Sequence, residues 1–560
     1  MGFLLELQVF FLAAVHFHLK GTLIIQAEHA HQVFAVDALV VITHGHIKIL
    51  LTSQLYKILY LLEGVDADIK FPHTNPPCCT KPYFSFIIIW YTAKFLLVAP
   101  IIPVCEKYAI DDFDDFTKNR YTILVVLTMK IGFYTLGCKV NQYETQAMEQ
   151  ILHALGHTTA PFTDRCDGYI INTCSVTAVA DKKNRAMIRR CRRDNPQAIL
   201  GVCGCYSQHD TQAVVDLGAD VVGGSGGREG FLQNFLQALD QRTQSCQVDN
   251  ALRRREFEVL PAGGLEGRTR AMLKVQDGCV NFCTYCIIPY TRGPIRSATV
   301  ELAVEQAKAL ADQGYREIVV TGIEIASWGA DLPGKPSLAV LLKAVCEAVP
   351  QLRIRLGSLE PRIITESFCL ALAELPNICP QFHLSMQSGC DSILTRMKRK
   401  YDTARYLESV ELLKKHFPGC AVTTDMIVAF PGETEEEHMQ SLSFIRRCGF
   451  ADMHIFPYSR RPGTPADKMP GQHNNATKEQ RSREAIAVAE KMSKAYREAL
   501  IGTVQQVLFE EPEGEFFTGH APNYVKVYAE GTALHNQVAP VEITGLHAEG
   551  VLGRILSQKI

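Results

Sequence analysis

Cys279-Val-Asn-Phe-Cys283-Thr-Tyr-Cys286 decides how the rest of this chain is read. Three cysteines at C-x3-C-x2-C spacing share one short polar and aromatic loop. Thiolates are the ligands of iron–sulfur clusters, and a cubane offers four irons to be filled. Three closely spaced thiolates hold three of them and leave the fourth open to a substrate or cofactor. Two plainer readings compete: cysteine is also a small buried hydrophobe, and three cysteines make three quarters of a zinc site. The twenty residues that follow contain no fourth Cys or His, which weakens zinc.

Downstream, strands and helices alternate from about Arg268 to residue 498. Ala271 to Gln276 reads as a strand ending at the cysteine loop. Val300 to Gln313 reads as an amphipathic helix, and Glu317 to Val320 as a strand ending in Thr321-Gly322-Ile-Glu324. Such a run predicts a βα barrel, complete or incomplete, with its site at the carboxyl ends of the strands.

Upstream the pattern repeats on a smaller scale. Ile131 to Leu136, Gly168 to Asn172, Ile199 to Val202 and Ala219 to Val222 read as strands, with a helix over Thr145 to Leu155. This predicts a three-layer parallel α/β domain. Cys138, Cys174 and Cys205 each sit just past a strand, and loops beyond parallel strands converge on one sheet edge. Three thiolates gathered there could hold a second cluster. Cys203 competes with Cys205 for the third place, but within a strand it points to the opposite face from its neighbours. Cys166, Cys191 and Cys246 have no such context and are read as structural.

The triad resembles that of the radical S-adenosylmethionine (SAM) enzymes. With Thr135-Leu-Gly-Cys138-Lys-Val-Asn-Gln-Tyr-Glu144, Ile171-Asn-Thr-Cys174 and Gly204-Cys205-Tyr, the chain from Met129 onward resembles the radical methylthiotransferases. The resemblance implies a 4Fe–4S cluster on Cys279, Cys283 and Cys286. SAM would chelate its open iron and be cleaved to a 5′-deoxyadenosyl radical. It also implies a partial six-stranded barrel and an auxiliary 4Fe–4S cluster on Cys138, Cys174 and Cys205 that carries or donates sulfur. Thr321, Gly322 and Glu324 would contact the SAM amino group, Ser358 would follow the next strand, Gln387 would meet a ribose hydroxyl, and Tyr285 would pack on adenine. The plain alternative for each is ordinary barrel structure, a turn glycine or a buried polar group satisfied by backbone. The Leu-Gly-Cys-Lys-Val-Asn-x-Tyr-Glu wording resembles the branch that methylthiolates C2 of N6-threonylcarbamoyladenosine at position 37 of tRNA. The alternatives are an aspartate of a ribosomal protein, isopentenyladenosine in tRNA, or a single-cluster RNA-binding or redox protein. An electron donor such as flavodoxin or ferredoxin is implied as well.

Two regions suggest RNA. On a helix, Lys182, Arg185 and Arg189 share one face, with Arg192 and Arg193 extending it, a stripe that can meet several phosphates. In Asn523-Tyr-Val-Lys-Val-Tyr528, Tyr524, Lys526 and Tyr528 fall on one side of a strand, as suits stacking on unpaired bases. That segment resembles the small TRAM β-barrel that ends tRNA methylthiotransferases, so a tRNA anticodon stem-loop is the expected partner. The competing readings are a solvated helix face and an ordinary barrel with surface tyrosines.

Composition bounds the rest. Among 560 residues the net charge is −2, so any basic surface is local. The 19 cysteines, an odd and unevenly spaced set, do not form a disulfide framework and point to the reducing cytoplasm. Residues 1–128 are apolar, hold seven of the 18 histidines and show no sustained helical or strand period. Residues 84–104 could span a bilayer, but Lys94 at their centre costs roughly 2.5–3.5 kcal/mol, and Pro100 and Pro103 break a helix. No membrane role is expected. Because Met129 starts a strand, residues 1–128 are read as a non-native or disordered extension. The expected parts are then an auxiliary-cluster domain at 129–245, a linker at 246–267, a radical domain at 268–498 and a TRAM-like barrel at 499–560, in a monomer.

Overall fold

A computed structural model describes residues 128–263 and 268–556, and before residue 128 only the backbone of short strands. The chain divides into two compact units, Met1–Gly132 with Ile151–Gly168, and Phe133–Gln150 with Tyr169–Ile560. In the smaller unit the backbone of Phe17–Gln26, Val33–Thr43 and His46–Leu51 forms antiparallel neighbours, where the sequence shows no strand period. The reading of 1–128 as an extension otherwise lies outside the described residues. Also in this unit, Thr158 N donates to Met129 O at 2.9 Å, and Lys130 pairs with Asp164 at 2.9 Å. No helix among the described residues is long and apolar enough to cross a membrane.

The larger unit carries three modules. In the first, Ile199–Gly204, Val221–Gly223 and Ser245–Gln247 pair in parallel. Gly168–Thr173 and Ile199–Gly204 are buried along their whole length, as parallel strands covered on both faces must be. Cys246, read as structural, lies exposed in the last of these strands, inside the stretch expected to be linker. The first helix spans Lys139–Ala154, starting six residues before the expected Thr145. Its first turns set polar Asn141 and Glu144 beside apolar Val140 and Tyr143, and all four are buried. The Asn141 amide ties the first turn down by donating to Leu136 O and Thr173 O.

In the second module, Arg270–Lys274, Glu317–Thr321 and Arg353–Leu356 form one parallel sheet. Ser358–Leu359, Gln381–Leu384, Ala421–Val428 and Asp452–Pro457 form another. Gly357 divides what is otherwise one strand, leaving six strands with interleaved helices, the partial barrel anticipated from the resemblance. Side chains alternate on the first sheet. Ala271, Leu273, Ile318, Val320, Ile354 and Leu356 are buried apolar residues, while Arg270, Lys274, Glu317, Thr321, Arg353 and Arg355 occupy the opposite face. A long helix, Asn475–Glu498, leads to the third module. This is a closed five-stranded barrel ordered Val504–Glu513, Phe516–His520, Lys526–Ala529, Gly550–Ile555, Val538–His547 around Val507, Phe509, Val527, Val541 and Val551.

Candidate active site

The first barrel strand feeds the loop of Cys279, Cys283 and Cys286. Gly278 turns the chain at φ 77°, where a Cβ would lie 1.8 Å from Pro294 O. Cys279 N then donates to Gly293 O at 3.0 Å, and Cys286 N to Cys283 O at 3.0 Å. Burial pushes the Cys279 thiol up to about 11 and that of Cys286 to about 12, and the charge of Cys283 adds to both. Arg399 donates from Nη1 to Cys283 Sγ at 3.3 Å and from Nη2 to Ser385 O at 3.2 Å.

The residues expected to hold the cofactor belong to the same module. Thr321 ends its strand, buried, and Gly322 follows so close to the first strand that a Cβ would sit 2.8 Å from Gln276 O. Glu324 is held through its backbone, its N donating to Gln276 Oε1 at 2.8 Å. Burial raises its carboxyl to about 7, with Glu360 adding, and its Oε1 is buried without a hydrogen-bond partner. The Glu324 charge reaches Cys279, and a buried acceptor without a partner fits the amino N–H of a SAM molecule. Gln387 is pinned at φ 68°, its N donating to Asp425 O and its O accepting from Ile427 N. Ser358 is exposed at the start of its strand. Tyr285 packs on a cluster of Cys390, Ile393, Met397, Phe430, Tyr458 and Ala466.

The second trio forms at the carboxyl edge of the α/β sheet. Cys138 immediately precedes the first helix, Cys174 follows Gly168–Thr173, and Cys205 opens the short helix Cys205–His209. A Cβ on Gly137 would fall 3.0 Å from Cys174 Sγ, so the first cysteine loop lies against the second. Gly204, at φ 106°, makes the turn that delivers Cys205, and a Cβ there would meet Thr173 O at 2.4 Å. Burial raises the thiols of Cys138 and Cys174, the latter to about 12, and the charge of Cys205 raises both further. Cys203 lies fully buried in its strand among Arg228 and Glu144, with Thr173 Oγ1 donating to its carbonyl at 2.6 Å. No three His, Cys, Asp or Glu side chains among the described residues close on a single ion. Three cysteine thiolates, one to each of three irons, are the donor type a cubane takes.

What the sequence did not reveal is how the two modules are joined. Arg292, from the radical module, donates from Nε to Cys205 Sγ at 3.2 Å and also bonds Glu144 and Asn141. Glu144 takes Arg228 at 2.6 Å and Lys274 at 3.2 Å, while Asp277 takes Lys274 at 2.8 Å and Arg296 at 3.3 Å. Burial alone would raise the Glu144 carboxyl, but Arg228, Arg292 and Lys274 overcome it and hold it well below the usual range. A second tie joins Arg461 to Asp181 and Ser175, both at 2.6 Å. A charged Lys274 closing a buried strand was the one local hint.

The expected RNA contacts fare unevenly. On Ala178–Asp194, Lys182 and Arg189 are exposed. Arg185 donates to Tyr206 OH at 3.3 Å, and Arg192 is consumed by Gly218 O and by Asp220 at 2.5 Å, so the stripe is shorter than its spacing suggests. Tyr524, Lys526 and Tyr528 do not share a free face. The strand starts at Lys526, and Tyr524 precedes it in a left-handed turn at φ 70°. Its ring lies under Arg355 at 4.7 Å and Arg270 at 5.2 Å. Lys526 pairs with Glu513 and Glu549, and Tyr528 is buried, donating to Glu549.

Three thiols on a loop at the strand ends of a partial barrel, beneath an orphaned carboxylate, define a radical SAM enzyme. Residues 273–445 match the family model of the radical SAM superfamily, and residues 130–224 that of an uncharacterized family, UPF0004. Threonylcarbamoyladenosine tRNA methylthiotransferase MtaB of Bacillus subtilis is 40% identical over 408 residues, 72% of this chain and 90% of that protein. Its namesake in Thermotoga maritima is 34% identical, covering 75% and 95%. The tRNA-2-methylthio-N(6)-dimethylallyladenosine synthase of Pelotomaculum thermopropionicum is 31% identical, covering 76% and 97%. Among solved structures, the radical SAM methyltransferase TsrM of Kitasatospora setae superposes with a TM-score of 0.46 at 15% identity, over 61% of this chain and 77% of that one. The chain belongs to the radical SAM tRNA methylthiotransferase family, and superfamily membership implies a 4Fe–4S cluster and SAM.

Proposed function

We propose that this enzyme methylthiolates C2 of N6-threonylcarbamoyladenosine at position 37 of tRNA, using two 4Fe–4S clusters in the reducing cytoplasm. The observation that carries the two-cluster reading is the meeting of Cys138, Cys174 and Cys205 at one sheet edge, with Arg292 of the radical module on Cys205. When bound, SAM and the clusters supply the hydrogen-abstracting radical, the methyl group and the sulfur. The protein's own residues do the positioning. Glu324 accepts the amino N–H, Gln276 fixes the Glu324 backbone, and Arg399 donates to Cys283. The Glu144 and Asp277 networks lock the two thiol trios at a set separation. Exposed Lys182 and Arg189 supply phosphate contacts for the anticodon stem-loop.

Modified-nucleoside analysis of tRNA from a deletion strain tests the target. Loss of the 2-methylthio form with threonylcarbamoyladenosine retained supports it. The dimethylallyladenosine synthase at 31% identity sustains a second reading, in which the methylthio form of isopentenyladenosine disappears instead. Unchanged tRNA would point to a protein target. Iron and sulfide analysis tests the cluster count, with about eight irons per chain for two cubanes and about four for one.

A further inference from the structure

We propose that the strand Asp452–Pro457 is a binding site for single-stranded RNA, with Phe456 and His454 stacking on unpaired bases while Lys478 and Arg483 hold the adjoining phosphates; that this RNA is an anticodon loop rests on the function proposed above. The strand pairs on one side with Ala421–Val428 and has no strand partner on its other side among the described residues. Its side chains alternate. Met453 is buried and Ile455 half-buried, whereas Asp452, His454 and Phe456 are exposed, Phe456 to 46%. The His454 and Phe456 rings lie with centroids 6.4 Å apart and planes tilted by 37°. Register sets His454 beside Asp425 and Phe456 beside Ile427, so the sheet fixes where the two rings stand. An open pair of rings on a paired strand is a stacking surface that any unpaired base can use.

The opposite face of the strand brings the charge. Ile455 and Pro457 line a groove of about 480 Å³ together with the helix Asn475–Glu498. That helix contributes Lys478, Ser482 and Arg483 from one side, with a single acid, Glu479. The Lys478 ammonium lies 5.7 Å from the centre of the Tyr458 ring, and neither Lys478 nor Arg483 has an ion pair among the described residues. An RNA backbone running along the open edge turns its bases to Phe456 and His454 and its phosphates to these two cations.

The segment that follows the strand ties this surface to the loops of both thiol trios. Ser459 Oγ accepts from Ala178 N at 3.0 Å, and Arg461 donates to Ser175, the residue after Cys174, at 2.6 Å. Ala466 N donates to the carbonyl of Thr284, inside the Cys279 loop, at 2.9 Å. Arg461 also holds Asp181, whose neighbour Lys182 is exposed, so the cationic surface continues onto the helix Ala178–Asp194. A loop of RNA seated on Phe456 is thereby led toward the place where the two trios meet. A duplex, whose bases are stacked on one another, can use the cations but not the rings.

The test uses the full chain with reconstituted clusters, as wild type, Phe456→Ala, Phe456→Trp, His454→Ala and the double variant Lys478→Gln, Arg483→Gln. The probes are an anticodon stem-loop RNA carrying threonylcarbamoyladenosine and a blunt RNA duplex of equal length. Kd, its salt dependence, SAM affinity and iron content are measured. Phe456→Ala and His454→Ala are each expected to raise the Kd for the stem-loop about tenfold, the loss of one stacked base. Duplex binding, SAM affinity and iron content stay unchanged, and Phe456→Trp keeps the wild-type Kd. The double variant flattens the plot of log Kd against log salt by about 0.7 per cation removed. An unchanged stem-loop Kd in both alanine variants, or an equal loss for the duplex, overturns the stacking role. So does weakened SAM binding, which would assign Phe456 to the cofactor pocket. An unchanged salt slope overturns the phosphate role. Wild-type enzyme that binds the stem-loop with these variant effects but leaves its adenosine unmodified overturns the proposed function and upholds the binding site. Wild-type enzyme that does not bind the stem-loop overturns both.

Discussion

Cys203 and Cys205 stand two residues apart, yet a strand end separates their chemistry. Cys203 remains inside the sheet, its thiol pushed up to about 11 by burial beside Arg228 and Glu144. Cys205 lies past the left-handed Gly204 and receives the Arg292 guanidinium. Cys205→Ser is therefore expected to lose about half of the reconstituted iron, the share of one cubane in two, and Cys203→Ser to keep it all. Elemental analysis decides, and equal iron in both variants would remove Cys205 from the ligand set. Glu324 gives a pH prediction at the same scale. Its folded value is raised from 4.5 to about 7, so the unfolded chain gives up this proton first. Folding is then favoured most at pH below 4.5, and the contribution is lost as pH rises toward 7. For cluster-free protein, wild type should lose up to about 3 kcal/mol relative to Glu324→Gln between pH 4.5 and 8, less whatever solvent screens. Urea midpoints that run parallel at both pH values would contradict it.

At the scale of elements, what the sequence discloses and what it hides divide along a physical line. Strand ends were legible because burial and turn chemistry are local: Cys138, Cys174 and the loop from Cys279 all follow strands, as their spacing suggested. The first helix was misjudged because Asn141 and Glu144 face the interior as polar residues. Alternation reports whether a side chain is inside, never which charge it meets. Glu144→Gln leaves Arg228, Lys274 and Arg292 buried with less counter-charge. A destabilisation of about 3–5 kcal/mol is expected, with faster proteolysis of the segment between Arg253 and Arg268. Gly278→Ala tests the other joint. With a Cβ forced to 1.8 Å from Pro294 O, the loop must shift and the radical cluster should fail to assemble, while the iron of the auxiliary trio remains. An electron paramagnetic resonance spectrum retaining both clusters would refute this.

Across the larger unit, the order of modules was readable from the sequence because each module carries its own local pattern. Their joints were not, because these contacts are long-range: Arg292 and Cys205 lie 87 positions apart, and Arg461 and Asp181 lie 280 apart. Tyr524 shows what this costs a reading made from spacing. Placed on a strand with Lys526 and Tyr528, it reads as a base-stacking residue. In the fold it turns away at φ 70° and lies under Arg355 and Arg270, which belong to the radical barrel. Arg355 also donates to Pro522 O at 2.8 Å, so the ring sits in the seam between the two barrels. The two roles separate experimentally. As a joint, Tyr524→Ala removes cation–π contacts worth about 0.5–2 kcal/mol and speeds cleavage between Glu498 and Val504, while Tyr524→Phe restores the wild-type rate. As a stacking platform, the same variant would instead weaken single-stranded RNA binding by about 1–3 kcal/mol and leave proteolysis unchanged. The geometry predicts the first outcome, because a ring whose face is taken by two guanidiniums cannot receive a base without the seam opening.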